Sequence, residues 1–387
     1  MSSIKTKLIY FIVPFLLLAG AVALVGSVKN VNRDRLKGLS TQATTVSLDP
    51  PNDMNFAGEI VPLRDFDVKE RMDKELIRYI YYHSATIMNI KRAARWKPEI
   101  SSILKKQGIP EDFFYLAVAE SHLTNATSPV GAKGFWQFMP ATAKMYGLEV
   151  SKQVDERYDP IKSTYAACDY LKDAHRMFRN WTLVAASYNM GMGGVKKQLT
   201  RQKVDNYYDL YLNRETAAYV FRILALKTIL ENPEAYGFKL RKEQLYRPLR
   251  YKIVKVDSTI DDLVTWALDH GTTYKMLKVL NPWLLKDKIA VAPAPEGESP
   301  KVYAIKVPRD ASLEESDLGT ELIPDSAAIG VQDSAVVDSA AVPAEEAVPV
   351  TLDSAATDSL AVPQPVASPT DSTEAKAKKK KKKRKED

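Results

Sequence analysis

Cysteine is almost missing from this chain: Cys168 stands alone among 387 residues. No disulfide can form within the chain, and cysteine usage marks no redox compartment. Histidine is scarce too. The four present, His83, His122, His175 and His270, show neither HExxH nor HxH spacing, so no metal and no other cofactor is expected. A broad basic face is also lacking. The formal charge is +7, but nine of the 55 lysines and arginines lie in the terminal run AKAKKKKKKRK, leaving 46 against 48 acidic residues. The folded part is therefore near neutral, which argues against nucleic acid as a partner.

What is present begins with an apolar run. Residues 8–28, LIYFIVPFLLLAGAVALVGSV, carry no charge and follow Lys5 and Lys7. That length suffices to cross a bilayer. Residues 1–29 are read as a signal peptide, cut after a small residue such as Ala21 or Ala23, or as an uncleaved membrane anchor. Lys29, Arg33, Arg35 and Lys37 follow the run, against the positive-inside preference. No cysteine near the run offers a lipid attachment point. Either alternative places the remainder in the cell envelope, on the periplasmic side.

Residues 30–72 have little periodicity and read as a linker. From 73 to 238 helical segments such as ELIRYIYYHSATIMNIKRAARW, PEISSILKKQG, PEDFFYLAVAES and STYAACDYLKDAHRMF alternate with short turns. Pro98 and Pro110 are read as first helical positions and Gly108 as a terminator. Residues 239–308 change character. YRPLRYKIVKV and KVYAIKVP are strand candidates around two short helical runs, which makes a small α+β module. The fold class is mainly α, with this module after the helical domain. Residues 309–387 repeat Asp-Ser-Ala units among Ala, Val and Pro without aromatics. They are expected to be disordered, ending in a lysine run that would meet an anionic surface by charge attraction alone.

The chemistry is sought in AVAESHLTNATSPVGAKGFWQFMPATAKMYG, residues 117–147. Phe113, Leu116, Ala117 and Glu120 lie three, four and seven apart, which places Glu120 on an apolar helical face. A carboxylate there is desolvated and keeps its proton toward neutrality, as a general acid requires. A structural salt bridge is the alternative reading of the acid. The following loop, with Gly131 and Gly134, permits tight turns, and Trp136, Gln137 and Met139 offer aromatic and amide surface suited to a sugar. Glu156 and Asp159, in DERYDP, are the other carboxylates nearby in sequence, and each also has a structural reading on its loop.

Taken together, ES at 120–121, SPVGAKGFWQFMPATA at 128–143, YGL at 146–148 and ASYNMGMGGV at 186–195 resemble the motifs of lytic murein transglycosylases. RETAAYVFRILALKTIL and NPEAYGF further on are similar to the membrane-bound D type. The resemblance spans 73–238. It implies a lysozyme-like helical fold, Glu120 as catalytic acid/base, Ser128 and Gln137 contacting sugar near the scissile bond, Met139 lining the groove, and Tyr188 and Asn189 holding substrate opposite Glu120. It implies peptidoglycan glycan strands as partner, and cleavage of the β-1,4 bond between N-acetylmuramic acid and N-acetylglucosamine with closure to a 1,6-anhydro end, for cell-wall remodelling. Gly191, Gly193 and Gly194 are expected to shape the turn after their helix. Phe135, Ser187 and Met190 depart from the common pattern, which bears on the shape of the groove. The module at 239–308 looks like a divergent LysM-type peptidoglycan-binding module, with a purely structural extension as the alternative. For the whole chain the alternatives are a hydrolytic muramidase and a non-catalytic wall-binding scaffold.

Overall fold

The computed structural model describes residues 47–293 and 300–309. The apolar run at 8–28 and the Asp-Ser-Ala and lysine-rich segments from 310 onward lie outside them. No described helix is long and apolar enough to cross a membrane.

Within the segment read as a linker, residues 55–60 and 66–72 form regular structure. Strands β1 (Asn55–Phe56) and β2 (Glu59–Ile60) pair antiparallel, Asn55 with Ile60 and Phe56 with Glu59. They turn through Ala57 and Gly58, both at positive φ, as a two-residue hairpin demands. Phe56 is fully buried, edge-on to Phe113 with ring centroids 5.2 Å apart. The Glu59 carboxylate accepts from the Thr182 backbone N–H at 2.9 Å and its hydroxyl at 2.7 Å, tying the hairpin to a helix far along the chain. Two-residue strands carry too few side chains to show a period, so only these long-range contacts reveal the element.

Helix α1 (Phe66–Tyr81) is amphipathic, burying Val68, Met72, Leu76 and Ile80. Helix α2 (His83–Lys106) runs unbroken through Pro98, which is a correction to the sequence reading of two helices. A mid-helix proline removes one hydrogen bond and costs about 3 kcal/mol. Here it sits on the exposed side, and buried Ile90 and Ala93 before it and Ile100, Ile103 and Leu104 after it hold both halves down. Gly108, at φ 70°, ends the segment. Pro110 starts a turn rather than the next helix: Phe113 N–H donates to its carbonyl at 3.1 Å, and α3 spans Phe113–Ser121.

All nine residues of α3 are buried. The spacing predicts one apolar face, whereas the helix is wrapped on every side, the signature of a central core element. Around it come α4 (Pro140–Met145), α5 (Pro160–Phe178), α6 (Trp181–Met190), α7 (Met192–Gln202) and α8 (Arg214–Glu231). Helix α5 has Pro160 at its first position and Asp159 as N-cap, its carboxylate accepting from Ile161 N–H at 2.8 Å and Lys162 N–H at 3.3 Å. Asp159→Ala is expected to lower stability by about 1–2 kcal/mol in urea denaturation. A loss of turnover without a loss of stability would contradict this capping role.

The C-terminal module pairs β3 (Tyr251–Val256) antiparallel with β4 (Tyr303–Pro308), Tyr251 opposite Pro308 and Val256 opposite Tyr303. Helices α9 (Leu263–Asp269) and α10 (Tyr274–Leu280), capped by Asp262 and Thr273, pack on this ribbon. Their core includes Val256, Leu263, Leu277, Trp283, Ile305 and Val307, and it also takes in Val154 from the helical domain.

Candidate active site

Glu120 lies in the last turn of α3 and is only 4% exposed. Burial pushes its carboxyl up to about 8. The Tyr219 hydroxyl, from α8, donates a short hydrogen bond to Glu120 Oε1, which favours the ionised form and limits the rise. Of the more distant charges, Glu215 opposes ionisation and Arg222 favours it. The helix carbonyls at this end also disfavour an anion. Tyr219 is itself buried and its phenol is pushed well above 10, so it remains a donor. Tyr219→Phe is expected to raise the Glu120 carboxyl further, because the lost hydrogen bond stabilises the carboxylate. The alkaline limb of the activity profile should then move to higher pH; an unmoved or lowered limb contradicts the pairing.

Just past the end of α3, His122 and Leu123 both adopt left-handed backbone, at φ 53° and 52°. Such positions cost about 1–3 kcal/mol each and are held only by their surroundings. Here the Ser121 hydroxyl donates to the Phe135 carbonyl at 2.8 Å, fastening the end of α3 to the loop that carries the remaining motif residues. Burial lowers the His122 imidazole, with Arg92 and Arg78 adding to the effect, and its Nδ1 lies 3.1 Å from Asn89 Oδ1.

That loop is built on itself. Ser128 Oγ accepts from Ala132 N–H at 2.9 Å, closing the turn at Gly131. Gln137, another left-handed residue at φ 48°, gives its amide nitrogen to the carbonyls of Ala126 at 3.1 Å and Gly134 at 2.8 Å. Its donor is therefore engaged within the loop. Trp136, read as aromatic sugar surface, is instead fully buried, with Nε1–H donating to Thr164 Oγ1 at 2.8 Å. Phe135 is likewise core, edge-on to Trp96 at 5.0 Å. Met139 is half-buried and directly precedes α4.

The structure brings Tyr188 to the loop, its hydroxyl donating to the Trp136 carbonyl at 2.8 Å. Its ring is edge-on to Phe138 at 6.2 Å and to Tyr170 at 5.1 Å, and burial and the nearby Glu120 charge push its phenol up. Asn189 Oδ1 accepts from Thr216 Oγ1 at 2.8 Å. Thr216 and Tyr219, three apart on α8, thus hold two elements of the site. Sequence reasoning did not find Tyr219, which is 99 residues from Glu120. Gly191, at φ 81°, separates α6 from α7, while Gly193 and Gly194 fall within α7. A Cβ at Gly194 would come within 2.6 Å of Met190 Cγ, so the bulky Met190 is matched by that missing side chain.

The other two carboxylates are occupied. Glu156 Oε2 accepts from Glu149 N–H at 2.7 Å and Oε1 pairs with Lys162, and Asp159 caps α5. A separate cavity of about 420 Å³, bounded by Glu59, Asp65, Asn180, Thr182, Asn206 and Tyr207 among others, contains none of the site residues. Among the described residues no cluster of three or more His, Cys, Asp or Glu side chains could hold a metal ion.

Two stretches of the chain match known domain families. Residues 99–210 match the transglycosylase SLT domain family, and residues 252–311 match the soluble lytic transglycosylase C-terminal LysM-like domain. Over 179 residues the chain is 35% identical to the membrane-bound lytic murein transglycosylase D of Escherichia coli (strain K12), covering 45% of this chain and 39% of that protein. The chain thus spans well under half the length of that relative. It is 31% identical over 126 residues to a protein named for tributyltin chloride resistance in Alteromonas sp. (strain M-1), covering 32% of this chain and 61% of that one. A crystal structure of an inactive variant of lytic transglycosylase Slt from Pseudomonas aeruginosa is similar over 46% of this chain and 35% of that one, at 21% identity and a TM-score of 0.30. The chain thus carries a mainly helical transglycosylase SLT domain followed by a LysM-like C-terminal domain.

Proposed function

We propose that the protein is a peptidoglycan lytic transglycosylase of the cell envelope. The observation that carries this reading is Glu120: a buried acid with its carboxyl raised to about 8, held by one tyrosine beside a self-braced loop. Such a group is protonated at neutral pH and can donate to a glycosidic oxygen.

Glycosidases that use water or a covalent intermediate ordinarily employ a second carboxylate. Glu156 and Asp159 are committed to backbone and lysine partners, which favours a route that dispenses with one. In that route Glu120 protonates the β-1,4 oxygen between N-acetylmuramic acid and N-acetylglucosamine, and the C1–O bond breaks. The muramyl 2-acetamido group stabilises the positive charge at C1. The Glu120 carboxylate then takes the proton of the muramyl C6 hydroxyl as O6 bonds to C1, giving the 1,6-anhydro end and restoring the acid. An intramolecular nucleophile has a high effective molarity, so the step does not depend on an activated water. Ser128, Gln137, Met139, Tyr188 and Asn189 form the sugar-contacting walls in this reading. The LysM-like domain adds affinity for the wall, and the apolar run at 8–28 directs the chain to the envelope, where the activity serves cell-wall remodelling.

Digestion of purified murein sacculi, followed by mass spectrometry of the soluble muropeptides, tests this. Wild type is expected to release 1,6-anhydro ends, and Glu120→Gln to release them at a rate lower by about 10²-fold or more. Reducing ends from the wild type would assign a hydrolytic muramidase instead, and no release at all would assign a binding scaffold.

A further inference from the structure

The C-terminal module does more than follow the helical domain: it completes it. Residues 153–155 run along the module in a strand-like pairing. Leu285 N–H donates to the Gln153 carbonyl at 2.9 Å, Asp155 N–H donates to the Trp283 carbonyl at 2.9 Å, and Val154 and Leu284 face each other as a β-bridge. The Gln153 side chain pairs with both backbone groups of Ala290, at 2.9 and 3.1 Å. Val154 is fully buried in the module's own core.

The next residues reach the opposite way. The Asp155 carboxylate holds the Arg157 guanidinium in a two-pronged pair, both contacts at 2.8 Å, and Lys133 lies 3.3 Å from the same carboxylate. Burial alone would raise the Asp155 carboxyl, but the Arg157 and Lys133 pairings outweigh it and hold it below the ordinary range. With Asp155 fixing its plane, Arg157 donates through Nη1 to the carbonyls of Gly131 at 2.9 Å and Phe138 at 3.0 Å. Those carbonyls sit on either side of Gly134 and Gln137. The Arg157 carbonyl itself is packed against Gly134 so closely that a Cβ there would meet it at 1.7 Å. The fork geometry suits this task, since a guanidinium can satisfy a carboxylate and two carbonyls at once.

We propose that Arg157 and Asp155 are positioning residues for the candidate active site, and that the LysM-like module sets the shape of the sugar-contacting loop through them. This rests on the proposed transglycosylase reading for its kinetic consequence, though not for its structural one. Module and loop 126–139 are then one mechanical unit. The module contributes to turnover even on glycan chains too short to reach from the groove to a second binding surface.

The test uses the full chain with short, soluble, uncrosslinked glycan strands as substrate, together with hydrogen exchange of the backbone. Arg157→Met removes both carbonyl contacts and the carboxylate pair. Arg157→Lys keeps the charge beside Asp155 but cannot hold two carbonyls, and it serves if the methionine variant fails to fold. The double variant Gln153→Ala with Val154→Thr loosens the module without touching the loop. Each folded variant is expected to show faster exchange in 126–139, with the double variant also faster at 153–155 and 283–290, and a drop in kcat/KM of tenfold or more, with KM rising. A purely structural role would lower the melting temperature while leaving KM and the loop's exchange at wild-type values, and that result overturns the proposal. Unchanged exchange in the double variant overturns the module's part in it. An inactive wild type with the exchange pattern as expected would count against the transglycosylase reading and leave the mechanical coupling standing.

Discussion

Glu120→Gln is expected to lower turnover by about 10²–10⁴-fold while making the protein more stable at neutral pH. Both effects come from one cause. Burial raises the Glu120 carboxyl from 4.5 to about 8, so the native state keeps a proton that the unfolded chain releases. Between those values the unfolded state binds fewer protons than the native state, and stability falls as pH rises through that window, levelling off above about 8. Each pH unit of that window costs about 1.4 kcal/mol, which sets a ceiling of roughly 5 kcal/mol on the stability lost. Glutamine cannot ionise, so the stability advantage of the variant should grow from the ordinary carboxylate range up to about 8. Urea denaturation of both proteins across that range measures it. A gap that stays constant with pH would mean that Glu120 is ionised like a surface carboxylate. The catalytic profile follows the same group: kcat/KM should fall as pH rises past about 8, because the first step needs the proton.

Gly134→Ala should unfold or severely loosen the loop, at a cost above about 4 kcal/mol. Two penalties combine. Residue 134 sits at φ 78°, where an L-residue is strained, and the added carbon would lie 1.7 Å from the Arg157 backbone oxygen, which cannot swing away as a side chain would. Gly131→Ala is the internal comparison. It has the same kind of backbone, at φ 89°, but open space around the position of a Cβ. Only the strain remains there, about 1 kcal/mol. Equal losses in denaturant midpoint for the two variants would show that the close approach of Arg157 is not what makes glycine necessary at 134.

Much of this site was legible in the order of residues. Glu120 stands on an apolar helix, the glycines and Pro129 forbid the helix from continuing, and the short motifs that follow resemble one enzyme family. The strands and helices of the module were also legible, because six- and seven-residue elements carry enough side chains to mark them. Other features depended on folding at long range. Tyr219 reads as one more aromatic on a core helix until α8 is laid against α3. Trp136 looked like a platform for sugar because tryptophan serves both surfaces and cores; its indole N–H finding Thr164 is what decides for the core. The hairpin at 55–60 was mistaken for linker since its anchor, the Glu59 pairing with Thr182, spans 123 residues. Pro98 misled for a different reason. Local propensity argues for a break, and packing on both sides of the proline overrides it.

Arg157 shows the same limit. DERYDP reads as a charged loop, and a charged loop ordinarily means solvent. In the fold its arginine is buried, flanked by the acid that holds it and the carbonyls it holds, and the loop beside Glu120 takes its shape from that clamp.

Whether Glu120 alone completes the cleavage, with the C6 oxygen replacing the glycosidic oxygen at C1 and no water consumed, is tested most directly by digesting murein in water enriched in the heavy oxygen isotope and weighing the new muramyl ends. Anhydro ends that carry no heavy oxygen are expected at every stage of the digestion. Muramyl ends that gain one heavy oxygen atom at C1 would show water as the nucleophile and contradict the single-acid route.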